Sequence, residues 1–226
     1  HLSFKDGFKP EKKYLKSIFN IGIPAMIEQL VMRAGIIIYS KTVASLGTVA
    51  FATHQVSMNI MSLSFMNGQA FSVSATSLMG QSLGKKRPDM AQAYSKRTRR
   101  IGMIVSIVLA FIFFFLGEHI VSLYSDDPTV ISMGGEILKI VALIQPFQSS
   151  QFIIAGALRG AGDTRATAII TFITILILRP GLAILSIKVF NLGLKGAWLA
   201  LAFDQIVRSF LVLTRFNSGK WKSIRV

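Results

Sequence analysis

Runs of roughly 20 residues with few charges recur from one end of this chain to the other, and they restrict its fold more than any other feature. The hydrocarbon core of a bilayer is about 30 Å thick, so such runs are the mark of spanning helices. Six can be placed, over about 17–40, 49–83, 100–124, 130–158, 166–190 and 197–216. One soluble core would not need so many. Charged residues make up 15% of the 226 residues and apolar residues 52%. A soluble domain carries nearer to about 25% charge. The expected fold is therefore an all-α integral membrane protein, a bundle of six transmembrane helices.

The net charge of +15 raises the question of nucleic acid, but the basic residues lie in short clusters between apolar runs, not on one polar face. In a membrane chain such clusters set orientation. Six spans put the N-terminal lead-in, the GKKRP to KRTRR loop, the RGAGDTR loop and the tail on one side. With Arg215 at the end of the last span these hold 18 Lys and Arg, against Lys41, Lys188 and Lys195 on the other. The asymmetry places both ends in the cytoplasm of a multi-pass protein of the cell membrane. Residues 1–16 read as a basic amphipathic lead-in on the membrane surface, 17–216 as the six-helix unit and 217–226 as a basic tail. The chain starts with His1, which suggests a piece of a longer protein.

Several ionisable residues fall inside the spans, where a charge costs about 2.5–3.5 kcal/mol on insertion scales. Asp204 and Arg208 are four apart and form a natural same-face ion pair, and Glu136 and Lys139, three apart, form another. Arg33 and Arg179 either snorkel outward or meet an acid on another helix. Glu28 differs. It lies about ten residues into its span, about 15 Å deep, and Arg33 points about 140° away around the helix. An unpaired carboxylate at depth takes up a proton because desolvation disfavours its charge. Glu28 is thus a candidate ion-coupling group, with an inter-helix structural pair as the other reading.

The second span carries a polar stripe at helical spacing: Gln55, Asn59, Ser62, Met66, Gln69 and Thr76. Lipid would not tolerate that face, so it bonds to other helices or lines a wet cavity. Together with Gln29 and Met32 of the first span, and Gln148 and Gln151 of the fourth, the residues from Gln55 to Gln69 are the candidate substrate cavity. Met58, Met61 and Phe65 sit beside the stripe, and alone would read as core packing. Pro146 predicts a bend in the fourth span. His54, expected near the outer surface, has no companion ligand, and no metal site, cysteine, HExxH or Gly-x-Ser-x-Gly pattern is present. An enzyme is not expected.

The pieces GIPAMIEQL, VASLGTVAFATHQ, GQSLGKKRPDMA, YSDDPTV and QPFQSSQFIIAGALRGAGDTR, in this order, resemble the multidrug and toxic compound extrusion (MATE) family across nearly the whole chain. GALRGAGDTR is the most specific of them. The resemblance implies one lobe of a twelve-helix, two-lobe antiporter, its lead-in corresponding to the cytoplasmic linker and its partner being the N-terminal lobe. It implies efflux of amphipathic or cationic small molecules against protons or sodium, without a further cofactor. Glu28 is similar in location to an acidic residue of some members. The fourth helix reads Gln148, Ser149, Ser150, Gln151 where sodium-using members carry an acid, which tilts the expectation towards protons, or towards coupling in the absent lobe. The alternative function is flipping of a lipid-linked substrate, for which Arg33, Lys139 and Arg179 would supply a cationic cavity.

Overall fold

The computed structural model describes residues 12–224. Six helical rods follow one another. The first two are α1 (Lys12–Ala44) and α2 (Thr48–Gly84), followed by α3 (Pro88–Ser122) and α4 (Pro128–Gly160). The fifth rod is built from α5 (Thr164–Thr171), a π-helical segment (Phe172–Leu178) and α6 (Arg179–Lys188), and the sixth is α7 (Gly193–Asn217). Five rods are long and apolar enough to cross a bilayer. The remaining rod, α2, is rich in Ser, Gln and Asn along its 37 residues.

The turns follow local chemistry. Pro88 and Pro128 open α3 and α4, where a missing amide donor costs nothing because the first helical N–H groups have no intrahelical acceptor. The Asp127 carboxylate caps α4 by accepting from the amides of Thr129 and Val130 at 2.8 and 3.4 Å. After α4, Gly162 takes a φ of +81°, a left-handed conformation that favours glycine. That turn delivers Asp163, whose carboxylate accepts from Arg215 Nε and Nη2 at 2.7 and 3.1 Å. The turn after the fourth rod is thereby tied to the end of the sixth.

Small residues decide how closely the rods approach. A Cβ on Gly160 would lie 2.4 Å from the Thr76 carbonyl oxygen, and one on Gly156 would lie 2.6 Å from that of Ser72. Gly156 and Gly160 form a G-x-x-x-G pair, which lets two helix backbones touch where water-driven burial is unavailable. The Thr76 hydroxyl completes the seam by donating to the carbonyls of Ser72 and Gly156, both at 2.9 Å. Helix α4 is the central post, packed on α2, α3 and α7. Helix α1 packs on α5, the π segment and α6, and only lightly on α2. Ile104, Val108, Phe111 and Phe115 of α3 are exposed at helical spacing, as a lipid-facing stripe requires.

The observed boundaries correct several expectations. Of the lead-in expected over 1–16, residues 1–11 lie outside the described residues, and 12–16 are already part of α1. The tail is not simply polar: Lys220–Ser223 form a 3-10 turn that buries Trp221 against Phe216, its ring nitrogen donating to the Phe216 carbonyl at 2.9 Å. Helix α4 runs continuously through Pro146. An irregularity that the sequence did not announce falls on the fifth rod, where the Arg179 amide reaches back five residues to the Thr174 carbonyl. The wider turn precedes Pro180, whose ring would press on the carbonyl four residues back in a regular α-helix.

Candidate functional site

Glu28 is 4% exposed and has partners from two other rods. Arg159, in the last turn of α4, donates from Nη1 to Oε1 at 3.2 Å. The hydroxyls of Thr167 and Thr171, one turn apart on the fifth rod, reach Oε2 and Oε1, each at 3.2 Å. The expectation of an unpaired carboxylate is therefore corrected. Its partners lie 131 and more residues away, beyond any local pattern. The depth is corrected as well. Thr167 and Thr171 lie three and seven residues after the start of α5, which puts Glu28 about 5–10 Å inside the basic end of the bundle. The expected depth of about 15 Å was counted from residue 17, whereas the apolar part of α1 begins at Gly22.

A second buried cluster joins the fifth and sixth rods. Asp204, 0% exposed, accepts from Arg208 Nη2 at 3.0 Å and from Arg179 Nε at 3.0 Å, with Arg179 Nη2 on the same oxygen. Arg208 Nη2 also donates to Gln205 Oε1 at 2.9 Å. The Asp204–Arg208 pair is present as expected, and Arg179 meets an acid on another helix instead of snorkelling. The Glu136–Lys139 pair is not formed. Glu136 Oε2 takes Lys195 Nζ at 2.8 Å, because the turn before α7 carries that lysine to the same end of the bundle, while Lys139 stays exposed.

The polar stripe divides. Gln55, Asn59, Ser62, Met66 and Gln69 are all exposed on one face of α2. Only Ser62 bonds locally, donating to the Asn59 carbonyl at 2.6 Å. Thr76 leaves the stripe for the α2–α4 seam. Gln29 of α1 is exposed and Met32 half-buried. Gln148 and Gln151 do not share this face: they are 2% and 6% exposed inside the lobe, each with a side-chain carbonyl oxygen that no protein group meets. They form a polar lobe interior, not part of the α1–α2 wall. Met61 is fully buried, with Met58 and Phe65 packed beside it as core. His54 is buried among Tyr39, Phe51 and Trp198, in the second turn of α2.

Membrane-crossing rods, an exposed polar face on α2 and a buried carboxylate on α1 fit one class, a lobe of a multi-pass membrane transporter. Comparison with known proteins agrees. The MatE family profile matches residues 24–185. The probable multidrug resistance protein NorM of Thermotoga maritima is 33% identical over 222 residues, covering 98% of this chain and 48% of that protein. The multidrug resistance protein MdtK of Yersinia pestis is 31% identical over 172 residues, 76% of this chain and 38% of that one. A MATE transporter solved in the straight conformation superposes with a TM-score of 0.89 at 16% identity, over 99% of this chain and 50% of that one. An outward-facing multidrug resistance MATE family transporter gives a TM-score of 0.89 at 17%, with the same coverage. At those identities the likeness shows the fold alone.

The chain belongs to the MatE family, a family of transporters and not of enzymes. It spans about half the length of the relatives it matches, and its six rods superpose on half of a MATE transporter.

Proposed function

We propose that this chain forms one wall of an efflux antiporter that exports amphipathic or cationic organic compounds in exchange for protons, with Glu28 as the coupling group. The observation that carries the reading is the asymmetry of the Glu28–Arg159 pair. The Glu28 side chain is 5% exposed and that of Arg159 is 30% exposed. The arginine can swing into solvent and the carboxylate cannot. Once Arg159 leaves, the buried carboxylate needs another positive partner, and a proton meets that need at the least steric cost. The Thr167 and Thr171 hydroxyls can donate to the ionised form or accept from the protonated one, so they serve both states.

The exposed face from Gln55 to Gln69 supplies the other half of the reading. Amides and a thioether mixed with Leu63, which is also exposed, suit adaptable contact with varied amphipathic compounds. Its partner would be the other lobe of the whole protein. The basic end of the bundle, with both chain ends, would face the cytoplasm. The flippase reading draws less support, since Arg179 is engaged by Asp204 and Arg33 and Lys139 project to the surface. Three cations are not gathered around one cavity.

The test is transport by the full two-lobe protein in sealed vesicles. A pH gradient should drive movement of a fluorescent organic cation, and a sodium gradient of equal size should not. Movement driven by sodium alone would replace the proton, and no gradient-driven movement would overturn the antiporter reading.

A further inference from the structure

Helices α3 and α7 flank α4 without packing closely on one another, and a cleft of about 270 Å³ opens between them. Arg99, Ser150 and Ser209 are its polar lining, and Met103, Phe147 and Phe210 are part of its apolar lining. Ser150 and Ser209 are 4% and 5% exposed. Arg99 Nε is buried and has no hydrogen-bond partner, and among the described residues Arg99 enters no ion pair. A half-buried guanidinium without an acid is costly, and an anion seated in the cleft would relieve it.

The geometry points to a single anionic phospholipid, its phosphate on Arg99 and its acyl chain along Phe147. Three features choose a lipid. First, the cleft is lined by α3, α4 and α7 and by no residue of α1 or α2, which carry the exposed polar face, so it is separate from the proposed substrate path. Second, Arg99 and Ser150 share one level, about 15–16 Å from the basic ends of α3 and α4, with Met103 and Phe147 one turn or so deeper and Phe210 and Leu213 on the basic side, so a phosphate at Arg99 has apolar surface beside it for an acyl chain. Third, the exposed Lys96, Arg97 and Arg100 around Arg99 raise the local concentration of anionic lipid. A bidentate guanidinium–phosphate contact then gives the site its geometry. This assignment is independent of Glu28 and of what is transported.

The test uses the full two-lobe protein, stripped of lipid and titrated with phosphatidylglycerol or phosphatidylcholine of the same chains, with bound lipid counted by native mass spectrometry. The first phosphatidylglycerol should bind about fivefold more tightly, the worth of one basic residue at a membrane surface. Arg99→Gln should abolish that preference, and Arg100→Gln, outside the cleft, should keep most of it. An unchanged preference in Arg99→Gln, or equal loss in both variants, would overturn the site. Competition by glycerol phosphate at similar concentration would assign the cleft to a soluble anion and overturn the lipid. If Arg99→Gln does not fold, Met103→Trp answers the same question with Arg99 intact. Brominated phosphatidylglycerol should quench the added fluorescence at a lower mole fraction than brominated phosphatidylcholine, and equal quenching would refute the proposal.

Discussion

Arg159 Nη1 stands 3.2 Å from Glu28 Oε1, joining the last turn of α4 to the middle of α1. The contact changes what Glu28 is. A carboxylate alone in lipid would simply be protonated. One held by a guanidinium and two hydroxyls is a charge-compensated site that can exchange one positive partner for another. Arg159 belongs to the same GALRGAGDTR segment that supplies the G-x-x-x-G seam, the left-handed Gly162 and the Asp163 anchor. That stretch therefore sets the packing, the turn and the partner of the Glu28 carboxylate together.

Removal of Arg159 should leave the carboxylate needing a cation at all times. Arg159→Gln is expected to keep binding of the organic cation, while transport under a fixed pH gradient falls. Initial rates in vesicles measure this, and an unchanged rate would show that Arg159 does not compensate Glu28 during the cycle.

The Asp204 cluster holds two guanidinium groups on one carboxylate. Asp204→Asn leaves two buried positive charges without a counter-charge and should cost about 3–5 kcal/mol. Arg208→Gln leaves a balanced pair with Arg179 and should cost clearly less. Thermal unfolding of the purified protein in detergent gives the order of the two, and equal losses would contradict the triad.

Backbone contact between α2 and α4 predicts a sharp positional effect. Gly160→Val forces atoms against the Thr76 carbonyl and should destabilise by about 1–3 kcal/mol or more. Gly84→Ala, with nothing within 4 Å of the added carbon, should sit near neutral. The melting temperatures of the two variants test the pair.

The chain has no cysteine, so single thiols report exposure cleanly once the rest of the protein is made cysteine-free. Gln55→Cys, Asn59→Cys and Gln69→Cys should react with a polar maleimide, and a bound organic cation should slow them. Gln148→Cys should react at least tenfold more slowly, because its site is 2% exposed. Fast labelling of Gln148→Cys would move the substrate wall to the lobe interior.

Hydropathy and turn residues made the rods legible, because lipid imposes an apolar length and Pro, Gly and Asp punctuate it locally. The α2 stripe was readable for the same reason, since five of its residues repeat on one helical face. What escaped depends on distant chain. The partners of Glu28 and Arg179 come from other rods, and no spacing rule reaches across 131 or 25 residues. Glu136 took Lys195 in place of Lys139 because a turn brought the lysine close, although the three-residue spacing also allowed the local pair. Gln148 and Gln151 resemble cavity residues in composition, yet helix rotation turns them inward. Trp221 was hidden in a basic tail, and only its own indole, which seldom stays in water when a groove is near, hinted at packing.

Glu28→Gln tests the central claim most directly, because it keeps the shape and the hydrogen-bonding hydroxyls while removing the titrating charge. In sealed vesicles carrying the full two-lobe protein, the variant should still bind a fluorescent organic cation and should lose its accumulation under a pH gradient. Accumulation at the unaltered protein's rate, with the same dependence on the gradient, would contradict the account.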